Sequence, residues 1–189
     1  MIVAPYGVFA LLMLMTSATV SLFAASALCL AVIALDAARG RSLKILGAGS
    51  AIVFTALGIY LDFVNPGLSK SAVKFLVDSG IFAISLGSML ARRPFTLQYA
   101  REMVPPETAA LPGFSRVNTI IAAAWTLAAL LMMIANGAML YVPGLPIWLS
   151  LLVAVAARNS AIYFTKWYPQ YLRAKSQALP HNAAVPKTP

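Results

Sequence analysis

An all-α fold, a polytopic transmembrane helical bundle of five spans, is what this sequence predicts, and three observations predict it. Hydrophobic residues make up 61% of the chain and charged residues only 10%. A soluble domain carries about 25% charged residues, so too few polar side chains exist here to cover a globule in water. Apolar runs close to the ~20 residues that cross a hydrocarbon core recur along the chain. The basic residues lie mostly between and after those runs, where they orient a membrane protein rather than bind nucleic acid.

The first apolar segment, at 7–35, is too long for one straight crossing, since a helix rises about 1.5 Å per residue. Strong tilt would keep it as one span and give five crossings. A break at Met15-Thr16-Ser17-Ala18-Thr19 would instead give a short re-entrant or half-spanning piece and then a full span, six segments in all, with hydroxyls to serve the freed backbone groups. No Lys or Arg precedes Arg39, so the segment reads as a retained span rather than a secretory signal. The second, third and fourth spans follow at 45–64, 75–91 and 117–140. The fifth, 148–165, is short and interrupted by Arg158. Together these form a membrane domain over 1–168. Residues 169–189, with Pro, Ala, Lys and the sole histidine, His181, read as a basic, disordered cytoplasmic tail.

Loop charges set the orientation. The first loop carries Arg39, Arg41 and Lys44, the third carries Arg92, Arg93, Arg101 and Arg116, and the tail carries Lys166, Arg173, Lys175 and Lys187. The opposite side has Lys70 and Lys74. The positive-inside rule puts the C-terminus in the cytoplasm and, with five spans, the N-terminus outside. Tyr60, Phe63, Tyr141 and Trp148 mark outer ends, and Tyr163, Trp167, Tyr168 and Tyr171 the inner end of the last span.

Helices in lipid associate through close packing of small residues. Ser79, Ala83, Gly87 and Ala91 form such a stripe on the third span, Ser17, Ser21, Ala25 and Cys29 on the first, and Gly47, Ala51 and Thr55 on the second. Cys29 reads as a small packing residue.

Polar residues within spans are costly and therefore candidates for a site. Asp62 and Asp78 bracket the second loop. They either share a proton or cation, or serve as an interfacial cap and a partner of Lys74. Arg158 falls near the midplane of the last span, where burial with a partner is expected. Asp78 is the nearest acid by depth, and Asn136 and Asn159 can add hydrogen bonds. Arg158 is then a structural clamp, part of an anion or proton path, or a side chain snorkelling to the interface. No phosphate loop, paired-cysteine motif, HExxH or nucleophile–base constellation occurs. No enzyme activity, cofactor or metal is expected.

The loop at 88–107 places prolines and arginines at the centre of the chain. Phe95, Tyr99 and Met103 recur every four residues, as on one face of a short amphipathic helix that Pro105-Pro106 stops. With Arg92, Arg93 and Arg101 this helix is either an ordinary topogenic loop or a contact surface on lipid or a partner. "RRP" at 92–94, Gln98, the prolines before the next span, Asn118, and Trp125 with Asn136 in "WTLAALLMMIAN" resemble the bacterial intracellular septation protein A family, over about half the chain. The resemblance implies a non-enzymatic bacterial inner-membrane protein of septation, envelope synthesis or membrane organisation. The expected partners are the lipid bilayer and division or envelope membrane proteins. The alternative expectation is a small oligomeric transporter or channel lined by Asp62, Asp78, Asn136 and Arg158.

Overall fold

The computed structural model describes residues 4–142 and 144–178. Among the described residues eight helices follow in order: α1 (Ala4–Met15), α2 (Ala18–Ala38), α3 (Ile45–Phe63), α4 (Lys70–Leu90), α5 (Phe95–Arg101), α6 (Pro106–Ala109), α7 (Pro112–Tyr141) and α8 (Ile147–Ala178). Five of them, α2, α3, α4, α7 and α8, are long and apolar enough to cross a membrane. The packing partners run in a row, with α1 and α2 together, then α3, α4, α7 and α8. The connections α2–α3 and α4–α7 and the end of α8 lie at one end, called here the basic end.

The long first segment is broken where its hydroxyls cluster. Ser17 caps α2, accepting from Val20 N at 3.3 Å, and Thr16 Oγ1 donates to Leu12 O at 2.9 Å. Lys70 Nζ closes the break by donating to Met13 O at 2.8 Å and Thr16 O at 3.1 Å. Carbonyls released at a helix end amid apolar surroundings are thereby satisfied. With 12 residues, α1 is about 18 Å long, short of a ~30 Å core. It runs parallel to α3, because Tyr6 hydrogen-bonds Ser50 and Phe9 meets Phe54 at 5.4 Å between ring centroids. Its first turn therefore points to the basic end. Of the two expected alternatives the structure holds the break, with a half-length helix folded back on α2 in place of one long tilted span over 7–35.

Two helices at the basic end stop in the same way. Gly40 N bonds Ala37 O and Arg41 N bonds Asp36 O, with Gly40 at φ 67°. Arg92 N bonds Met89 O and Arg93 N bonds Ser88 O, with Arg92 at φ 56°. Both are Schellman turns, which need a left-handed residue just past the helix. Pro94 follows the second and is the N-cap of α5.

The small-residue seams divide. Ser21 and Ala25 are fully buried against neighbouring helices, and Ser26 Oγ meets Thr55 Oγ1 at 2.6 Å across α2 and α3. The α4 stripe is corrected: Ala83, Gly87 and Ala91 face outward. The close approach of α3 and α4 runs through Gly80, where an added Cβ would lie 2.8 Å from Val53 Cγ1.

At the C-terminal side α8 continues through Pro169 to Ala178, so 169–178 is helical where a disordered tail was expected. Proline removes one backbone bond. Stacks of Phe164 on Tyr168 and of Trp167 on Tyr171, each 5.2 Å between centroids, flank the site of that loss. Pairs four residues apart support a helix in this way. Residues 179–189, with His181 and Lys187, lie outside the described residues.

Candidate functional site

The intramembrane candidates do not form one site. Asp78 on α4 and Asn136 on α7 meet, with Asn136 Nδ2 donating to Asp78 Oδ2 at 2.6 Å. Asn136 is buried, and Gly137 beside it lets Phe75 approach. Asp62 is exposed at the end of α3 and has no part in this pair. Arg158 is half-buried and Asn159 exposed on α8; among the described residues no carboxylate lies within salt-bridge distance of Arg158. The expected Asp78–Arg158 pairing fails for a topological reason: α7 stands between α4 and α8. Helix α8 turns Ala157 and Ala161 to Ala128 of α7, which leaves Arg158 on its flank.

The basic end holds a denser arrangement. Helix α5 is fixed to the bundle by its apolar side and two polar residues. Phe95 and Leu97 are buried, Thr96 Oγ1 donates to Asn118 O at 2.7 Å, and Ser88 Oγ accepts from Phe95 N at 3.3 Å. Gln98 Oε1 accepts from Ile45 N at 2.8 Å. That bond satisfies one of the free amides at the start of α3, whose own N-cap, Lys44, offers no side-chain acceptor. Glu102 Oε1 accepts from Ser42 N at 3.2 Å and Ser42 Oγ at 3.0 Å.

Lys44 sits at the centre of this arrangement. Its ammonium lies 2.8 Å from Asp36 Oδ2 and 3.0 Å from Glu102 Oε2, and 5.5 Å from the centre of the Tyr99 ring. Arg41 adds a longer contact to Asp36, 3.4 Å. Burial works against the Lys44 charge, but the bonds to Asp36 and Glu102 outweigh it and raise the lysine pKa. Burial likewise opposes the Glu102 charge, yet the donors Lys44 and Ser42 hold that carboxyl below its ordinary value. Burial raises the Tyr99 phenol. Two of the chain's five acids thus converge on one lysine, from the end of α2 and the end of α5. Sequence reading passed over Asp36, Lys44 and Glu102 as a site, because Glu102 lies 60 residues from Ser42; an acid at the end of an otherwise apolar span was the available signal.

A cavity of about 450 Å³ opens beside this cluster, between the first turn of α1, the ends of α2 and α3, and α5. Tyr6 and Ser50 line it. Ser50 Oγ donates to Leu46 O at 2.6 Å, which leaves its oxygen to accept the Tyr6 hydroxyl proton.

The expected contact surface on the central loop is split. Arg92, Arg93 and Arg101 are exposed. Phe95 is part of the core with Leu46 and Ala122, and Tyr99 packs on the same cluster, so these two rings are corrected from partner contacts to anchors of α5. Among the described residues no group of three or more His, Cys, Asp or Glu gathers as a metal site. Compared with protein families, curated proteins and solved structures, the chain finds no match in any of the three.

Proposed function

We propose that this multi-pass membrane protein is a non-enzymatic organiser of a bacterial inner membrane, with its basic end in the cytoplasm and its exposed arginines as the contact surface. The observation that carries the reading is the double character of the α4–α5 corner. Phe95, Leu97, Gln98 and Glu102 hold it to the bundle, while Arg92, Arg93 and Arg101 remain outside. A cationic surface on a fixed support suits an acidic protein partner, because little backbone freedom is lost on contact. Septation or envelope-synthesis proteins are the partners that the sequence resemblance suggests. Affinity purification from native membranes in mild detergent tests this. The triple variant Arg92→Glu, Arg93→Glu, Arg101→Glu is expected to insert normally and lose those partners; an unchanged partner set refutes the reading.

The Asp78–Asn136 contact favours a second reading, transport by an oligomer, since a carboxylate within a span is retained at a cost. In that case Asp78→Asn alters ion flux into liposomes with folding preserved. Equal flux in protein-free liposomes removes it.

A further inference from the structure

The cavity at the basic end is separate from the exposed arginine surface, and its lining is divided by chemistry. Cys29, Val32, Ile33 and Leu46 supply apolar wall on the membrane side, while Arg39, Arg41, Ser42, Lys44 and Glu102 lie on the loop side. Its volume, about 450 Å³, falls within the range of small-molecule sites, about 300–1,000 Å³. The fold explains its place. Helix α1 sets Tyr6 at the depth of Ser50 on α3, so among the described residues only its first turn borders the inner ends of α2 and α3. The loop side of the cavity coincides with the end of α2 and the start of α3, where a span leaves hydrocarbon for headgroups.

The charge at the rim selects a class of occupant. Asp36 and Glu102 both bond Lys44, and Arg41 reaches Asp36 only at 3.4 Å. Arg39 joins no ion pair among the described residues. Three cations therefore face two carboxylates that are already engaged, and two guanidiniums keep donors to spare. Guanidinium donors match phosphate oxygens in geometry and charge. We infer that this cavity is a binding site for a membrane phospholipid with a net anionic headgroup, with an acyl chain along Val32 and Ile33 and the phosphate at Arg39 and Arg41.

The test is native mass spectrometry of the full-length protein in a non-phospholipid detergent, titrated with phosphatidylglycerol, diacylglycerol of the same chains, or glycerol phosphate. One equivalent of phosphatidylglycerol is expected to remain bound. Diacylglycerol should bind about tenfold more weakly or worse, for want of charge-assisted bonds, and glycerol phosphate should not compete. The double variant Arg39→Gln, Arg41→Gln should lose about tenfold in phosphatidylglycerol retention. Gly47→Leu should block the acyl chain, since a Cβ there has room, 4.0 Å from Ile33 Cγ1. If Gly47→Leu fails to fold, the arginine variant alone decides, because both arginines are exposed. Four results would overturn the inference: equal retention of diacylglycerol, competition by glycerol phosphate, unchanged retention in the arginine variant, or a photoreactive acyl chain that labels α4 or α8 instead of α2.

Discussion

Arg92→Gly is expected to stabilise the protein, and the size of the effect follows from one backbone angle. Arg92 is the single non-glycine residue with positive φ among the described residues, at 56°. Its place in the turn after α4 is the place Gly40 holds after α2, at φ 67°. A left-handed conformation costs a residue with a Cβ roughly 1–2 kcal/mol. Glycine removes that cost but gives the unfolded chain more freedom, worth about 0.4–1 kcal/mol against folding. The difference leaves Arg92→Gly about 0.5–1 kcal/mol more stable, and the mirror change Gly40→Ala destabilising by a similar ~0.5–1 kcal/mol. Because the Arg92 side chain is exposed, little packing is lost with it. Reversible unfolding by denaturing detergent, followed by circular dichroism, reads both changes. A destabilised Arg92→Gly would refute the reasoning and mean that the side chain contributes more to the fold than its backbone strain takes away. The same variant also separates function from folding. If the arginine surface is a contact site, Arg92→Gly gains stability and loses partner affinity.

Two further outcomes follow from the helix contacts and from the latch at the basic end. Gly80→Ala should destabilise by about 1 kcal/mol, since overpacking against Val53 at 2.8 Å outweighs the gain in helix propensity. Gly87→Ala, with no atom within 4 Å, should gain up to ~1 kcal/mol; equal effects would show that α3 and α4 can separate freely. Glu102 has a lowered pKa in the fold, so its contribution is present above the unfolded carboxyl value of about 4.3 and is lost as pH falls through the folded value. Lys44, raised, contributes below about 10.4 and loses its effect as pH rises through its folded value. Hydrogen exchange of α5 amides should therefore quicken relative to α3 below about pH 4. Constant relative protection down to pH 2 would show that the ion pairs do not hold α5.

The five long helices were readable because bilayer length and the cost of charge act on each segment by itself. The break before Ser17 was readable as one of two alternatives, since a capping hydroxyl is a local device, but choosing it over tilt needed Lys70, which reaches the freed carbonyls from 54 and 57 residues away. The central loop was legible as a short amphipathic helix. Periodicity located its apolar face, yet could not say whether Phe95 and Tyr99 met a partner or their own bundle, because the same face serves either purpose. Gly40 adopts its left-handed turn at no steric cost. Arg92 did not, since the bonds of the corner rather than the residue's preference impose its angle.

Composition, apolar length and the placement of basic residues determined by themselves a helical membrane protein with one basic end. Only the tertiary structure decided which polar groups meet. Helix order put α7 between Asp78 and Arg158, so Asp78 bonds Asn136 and the expected ion pair does not form. The docking of α5 brought Glu102 to the Lys44 that Asp36 also holds, and a cavity lies beside them against the first turn of α1. Insertion depends on transfer free energies that sum along a segment, and sequence records them directly. A site depends on which faces of separate helices are turned together, and that is settled by packing among segments far apart in the chain.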